Sequence, residues 1–176
     1  MSETKDFHRE KTVSSEEGTE KDRAYRSSLN FIARRPRSRR ETEEYLSRKG
    51  FSKTAVSATL RRLEAYGYLN DEAYARMLVE SRERLNPRSV SALRAELASR
   101  GVDEAAAGPV LERLDELGAA RRAVEKNLYR WRGSEQAGFN RKVMAFLARR
   151  GFSFEISTEV CARAWEAVAQ EFEKDR

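Results

Sequence analysis

A single cysteine, Cys161, leaves no partner for an internal disulfide, and a single histidine, His8, cannot supply a two-histidine zinc site. Only three prolines and nine glycines interrupt the 176 residues, so helix breakers are scarce. No apolar run approaches the roughly 18 residues of a membrane-spanning helix, and the opening stretch MSETKDFHREKTVSSEEGTEK lacks the apolar centre of a signal peptide. A protein with no membrane contact, working in the cytoplasm, is expected. Compact cofactor motifs are missing too. Gly133 and Gly138 in GSEQAGFN have the spacing of a phosphate-cradling loop, but Phe139 and Asn140 follow where lysine and serine or threonine are needed. No cofactor or metal is expected.

Charge, by contrast, is abundant. Charged residues make up 36% of the chain, and 35 lysines and arginines against 29 acids give a formal net charge of +6. The pI near 9.6 favours partners rich in phosphate or carboxylate. Ala, Leu, Arg and Glu dominate, which is a helical composition. Residues 1–20 carry almost no large apolar side chains and are expected to be a disordered tail, with His8 inside it.

Beyond the tail the chain repeats itself. The stretches TEEYLSRKGFSKTAVSATLRRLEAYG, LRAELASRGVDEAAAGPVLERLDELG and VMAFLARRGFSFEISTEVCARAWEAV align, with Leu46, Leu97 and Leu147 in register, then Gly50, Gly101 and Gly151. Leu60, Leu111 and Cys161 also correspond, as do Pro36 with Pro87, Ser38 with Ser89 and Gly67 with Gly118. The boundaries read as repeat one over 21–67, repeat two over 68–118 and repeat three over 119–171.

Each repeat reads as three helices. Tyr25, Leu29 and Ile32 share one helical face before Pro36; Thr42, Tyr45 and Leu46 form the next stripe, capped by Ser38 and ended by Gly50; Val56, Leu60 and Leu63 form the third before Gly67. In repeat two, Tyr74, Met77, Leu78 and Leu85 are expected to face inward, then Val90, Leu93 and Leu97, then Val110, Leu111 and Leu114 before Gly118. Repeat three starts with Val124, Leu128 and Trp131, and RGSEQAGFN takes the place of the Pro-x-Ser turn. Units of about fifty residues bury too little apolar surface alone and should stack. The fold class expected is all-α: three tandem three-helix repeats in an elongated, curved rod.

The candidate functional residues are basic and recur at equivalent junctions. RRPRSRR carries Arg34, Arg35, Arg37, Arg39 and Arg40; Arg88 sits at the matching turn of repeat two; Arg130, Arg132, Arg141 and Lys142 flank the junction of repeat three. The planar fork of arginine suits phosphate and carboxylate alike. Arg48, Lys49, Arg100, Arg149 and Arg150 lie in last turns, where complementing the helix dipole nearly accounts for them. Glu43 with Glu44, and Asp115 with Glu116, sit beside basic neighbours and read as solvated ion pairs rather than an acid/base pair. Tyr66, Tyr68, Trp131 and Trp165 read as core before they read as stacking platforms, and Cys161 as a packed thiol. Asn70 and Asp71 in GYLNDEAYA read as helix-start residues, not as catalytic groups.

With these pieces assembled, the chain resembles the RecX family of bacterial regulators of the RecA recombinase. The likeness is carried by LSRKGFSKTAVSATLRRLEAYGYLNDEAYARMLVESR (46–82), by ELASRGVDEAAAGPVLERL and by FLARRGFSFEISTEV, and covers about residues 22–169. It implies a non-enzymatic, mainly negative modulator, acting as a monomer. Such a protein lies in the groove of the RecA filament on single-stranded DNA and inhibits strand exchange, ATP hydrolysis and stimulated repressor self-cleavage. Its implied partners are the RecA filament and single-stranded DNA, with duplex DNA bound weakly. The competing reading takes SRRETEEYLSRKGFSKTAVSATLRRLEAYGYL as a helix-turn-helix with a short wing, and the protein as a DNA-binding transcription regulator. The threefold repeat argues against it.

Overall fold

The computed structural model describes residues 19–174, and among them every regular element is helical. In chain order these are α1 (19–32), α2 (Arg39–Arg48), α3 (Lys53–Ala65), α4 (Asp71–Leu85), α5 (Val90–Ser99), α6 (Glu104–Leu111), α7 (Glu116–Glu125), α8 (Gln136–Ala148) and α9 (Phe154–Lys174). One 3-10 turn, Leu128–Arg130, follows α7. The fold is therefore an all-α tandem repeat, α1–α3, α4–α6 and α7–α9. No helix among the described residues is long and apolar enough to cross a membrane. Most of the tail expected over 1–20, with His8, lies outside the described residues. Thr19 and Glu20 are helical, and the Glu20 carboxylate accepts from the Ser52 N–H at 2.8 Å and the Ser52 hydroxyl at 2.7 Å.

The repeat is visible in how helices end. Gly50, Gly101 and Gly151 all have φ near +80°, and after Gly50 and Gly151 the next residue turns its N–H back to a leucine carbonyl, Phe51 to Leu46 and Phe152 to Leu147. These are the aligned leucines and glycines of the sequence. The left-handed turn needs glycine, and the apolar residue after it closes the end of the helix.

The described chain divides into two compact units, one reaching to Tyr74 and including Arg100–Val102, the other formed by Ala75–Ser99 and the chain from Asp103. In the first, Leu46, Ala55, Val56, Leu60, Leu63 and Leu69 make the core, with Tyr25, Leu29 and Ile32 packed against it. Phe31 stacks flat on Tyr45 at 4.0 Å. In the second, α9 packs on both α8 and α7, and Val124, Phe139, Val143, Leu147, Val160 and Cys161 sit at its centre. Cys161 is a core thiol as expected; burial pushes its pKa up, and its Sγ lies 3.4 Å from Asn140 Oδ1.

Three local expectations need correction. Met77 and Leu85 are exposed at 37% and 67%, while Ala75 and Val79 are buried beside Tyr74 and Leu78. The buried stripe of α4 runs 74, 75, 78, 79, and size alone is a poor guide to Met77 and Leu85. Gly118 does not end a helix as Gly67 does. It lies inside α7, where the Asp115 carboxylate caps its N–H at 2.9 Å, and α6 has already stopped at Leu111. Finally, QAGFN of the supposed loop belongs to α8, with Phe139 fully buried, so Gly133 and Gly138 frame no phosphate loop.

Candidate nucleic-acid and protein interface

The Pro-x-Ser turns between first and second helices are where the basic residues gather, and each turn is closed by a later piece of chain. Ser38 is buried and caps α2: its hydroxyl accepts from the Glu41 N–H at 3.1 Å, and the Glu41 carboxylate accepts from the Ser38 N–H at 3.0 Å. The same hydroxyl donates to the Arg100 carbonyl at 2.6 Å. In repeat two, Ser89 caps α5 by accepting from the Ala92 N–H at 3.0 Å, and its own N–H donates to the Arg150 carbonyl at 3.1 Å. Each junction therefore meets the positive-φ glycine turn that ends a later second helix. The seam is structural and repeated.

Around the first seam four of the five arginines are engaged. Arg35 bonds Glu41 at 2.9 Å, Arg39 bonds Glu64 at 2.8 Å and approaches Glu43 at 3.4 Å, and Arg40 bonds Glu44 at 3.0 Å. Arg37 lies over the Phe31 ring at 3.9 Å, with Glu41 also 3.9 Å away. Burial first, then the Arg35 charge, lowers the Arg37 pKa, and Glu41 and Tyr74 oppose them. Burial pushes Glu41 up, but the Ser38 N–H together with Arg35 and Arg37 outweighs it and holds the carboxyl low. Arg34 is exposed, with no ion pair among the described residues. Asp71, placed at the start of α4 by the sequence, accepts from the Arg39 N–H at 2.8 Å, while Asn70 caps α4 through the Ala73 N–H at 2.9 Å. Asp71 thus ties α4 to the first turn of α2.

The second seam is differently charged. Arg88 reaches Glu96 at 3.5 Å, and Arg82 bonds the same carboxylate at 3.0 Å. Arg150 lies over the Phe146 ring at 3.8 Å and donates to Asn86 Oδ1 at 2.9 Å. Trp131 meets the same Phe146 edge-on at 5.0 Å, which brings the neighbouring Arg130 to this seam. Burial first, then the charges of Arg149, Arg88 and Arg130, lowers the Arg150 pKa. Arg130 donates to Asn127 at 3.4 Å, Lys142 to the Ser134 hydroxyl at 2.8 Å, and Arg132 and Arg141 are exposed. The sequence alone presents Arg150 as a dipole partner; the contact with Asn86 that singles it out spans 64 residues.

Aromatic placements divide. Trp131 is core and Trp165 packs on Phe139 at 5.3 Å, as expected, whereas Tyr66 and Tyr68 are exposed. Tyr129, beside Arg130, is 74% exposed. Glu43 and Glu44 are in the ion pairs above, Asp115 is a cap, and Glu116 accepts from the Val90 N–H at 3.1 Å. Among the described residues no group of acids, histidine or cysteine could hold a metal ion.

Three family models match in succession: the first RecX three-helix domain over residues 24–63, the second over 70–111 and the third over 115–161. The chain is similar to the regulatory protein RecX of Mycobacterium marinum, 34% identical over 151 residues, 84% of this chain and 87% of that one. It is also similar to that of Pelodictyon phaeoclathratiforme, 30% identical over 73% of this chain and 80% of that one. A crystal structure of RecX from Lactobacillus salivarius superposes with a TM-score of 0.73 at 20% identity, covering 84% of this chain and 97% of that one, and so shares the fold.

Proposed function

The chain belongs to the RecX family, and from that premise we propose that it is a non-enzymatic, mainly negative regulator of the RecA recombinase. It binds along the recombinase filament on single-stranded DNA and inhibits its strand exchange, ATPase and coprotease activities. The observation that carries the reading is the arginine-bearing Pro-x-Ser seam, built in one repeat and built again in the next. A filament presents the same acidic and phosphate groups at regular intervals, so a ligand with repeated cationic patches gains avidity from several weak contacts. The candidate contacts are Arg34, Arg35, Arg37, Arg39, Arg40, Arg88, Arg130, Arg132, Arg141 and Lys142. The paired carboxylates weighed for acid/base chemistry are engaged in ion pairs and helix caps, which supports a binding role.

Co-sedimentation with RecA filaments assembled on single-stranded DNA tests this reading. The protein should pellet with filaments at low salt and be released as salt rises, because both phosphate and carboxylate contacts are screened. Protein that stays in the supernatant at low salt, with filaments intact, contradicts it.

A further inference from the structure

The two seams share one design but differ at one position. In repeat one the N-cap serine is followed three residues later by Glu41, whose carboxylate completes the cap and sits against Arg35 and Arg37. At the equivalent place in repeat two stands Ala92, so Ser89 caps α5 alone. The counter-ion built into the first seam is missing from the second. The carboxylates present there are already engaged, Glu96 by Arg82 and Arg88 and Glu116 by the Val90 N–H.

The consequence falls on Arg150. It is half-buried, held by Asn86 and Phe146, with no carboxylate partner and with an enclosed Nε that finds no acceptor among the described residues. The charges that bear on it, those of Arg149, Arg88 and Arg130, are all positive. Removing a cation from water without a counter-charge is unfavourable, and three like charges add to the cost. An arriving anion relieves both.

We infer that the second seam is a binding site for a backbone phosphate of single-stranded nucleic acid, held by Arg150, Arg88, Arg130 and Arg149, whereas at the equivalent place in the first seam Glu41 already pairs with Arg35 and Arg37. The exposed ring of Tyr129, next to Arg130, gives a neighbouring base a face to stack on, which favours a nucleic-acid strand over a protein carboxylate. The inference rests on the reading of the chain as a RecA-filament regulator for its setting. Its test leaves the recombinase out.

The decisive variant is Ala92→Glu, which restores to the second seam the carboxylate of the first. Fluorescence anisotropy with a labelled oligothymidine should show binding weakened about tenfold, as for removal of one charge-assisted hydrogen bond. The log–log salt slope should shrink by about 0.7 for each phosphate no longer neutralised. Thermal melting should stay at or above that of the parent, because a capping box is gained. Glu41→Gln, the mirror change, should leave oligonucleotide affinity the same or raise it. If Ala92→Glu fails to fold, the exposed pair Arg130→Ala with Arg149→Ala carries the same expectation. Unchanged affinity and slope in a folded variant overturn the inference. So does a variant that loses filament binding but keeps oligonucleotide binding, since the seam would then read protein. Should the parent bind oligonucleotide through this seam yet leave RecA unaffected, the inference stands and the proposed function falls.

Discussion

Replacing Ser38 with alanine and, separately, Ser89 with alanine makes a measurement out of the difference between two serines that the sequence presents as equivalents. Both are buried N-caps. Loss of a cap costs about 1 kcal/mol in each. Ser38, however, also donates its hydroxyl to the Arg100 carbonyl at 2.6 Å, while Ser89 bonds the Arg150 carbonyl at 3.1 Å through its backbone N–H, which alanine keeps, and its hydroxyl otherwise meets only the exposed Ser91 hydroxyl at 2.9 Å, which water can replace. Ser38→Ala therefore leaves a carbonyl without its donor, a further cost of about 1–3 kcal/mol. The expected totals are about 2–4 kcal/mol for Ser38→Ala and about 1 kcal/mol for Ser89→Ala. Urea unfolding followed by circular dichroism, with the slope checked for equality between variants, reads the difference. Equal losses would refute the reasoning, because they would mean that the hydroxyl bond across the first seam contributes nothing.

Gly151→Ala should cost about 2–4 kcal/mol: φ is +85°, and the new Cβ would meet Ser89 Oγ at 2.5 Å and Ala92 Cβ at 2.9 Å. Gly50→Ala, at φ +82° with open space around it, should cost only the backbone strain of about 1–2 kcal/mol in the same unfolding assay. Asp71→Ala, which frees the Arg39 N–H, should destabilise by about 0.5–2 kcal/mol and leave filament binding in place once folded; a stable but inactive variant would mean that Asp71 has a role beyond the joint. Glu41 has a lowered pKa in the folded protein, so its contribution is complete above its unfolded value of about 4.3 and is lost as pH falls through the folded value. Melting temperatures taken from about pH 6 to about pH 3 should accordingly fall further in the parent than in Glu41→Gln.

The fold was legible because its punctuation is local. Gly50, Gly101 and Gly151 end helices through a conformation that glycine alone adopts readily, and Leu46, Leu97 and Leu147 are buried at the positions their spacing implied. Gly118 looked like one more member of that series and was not, because Asp115 starts a helix ahead of it and the competing cap takes precedence. Met77 and Leu85 share the helical spacing of Tyr74 and Leu78 yet stay exposed, because the buried stripe of α4 is turned toward Ala75 and Val79, and a small alanine does not announce a buried place.

The candidate site was legible in outline. The arginine-rich turns could be seen in RRPRSRR and at Arg88, but the sequence could not show that Glu41, Glu43, Glu44 and Glu64 pair with most of the first cluster. Nor could it show Arg150 placed against Ser89 of an earlier repeat. One sign was available: aligning the repeats sets Ala92 opposite Glu41. Its meaning depends on the later chain that closes each seam, and long-range contacts of that kind leave no periodicity.

The central claim is regulation of the recombinase, and a coupled ATPase assay of RecA on single-stranded DNA tests it most directly. Substoichiometric amounts of this protein should slow ATP hydrolysis progressively after addition, with the effect diminishing as salt is raised. An unchanged rate and filament lifetime at low salt, with protein that is folded by circular dichroism, would contradict the account.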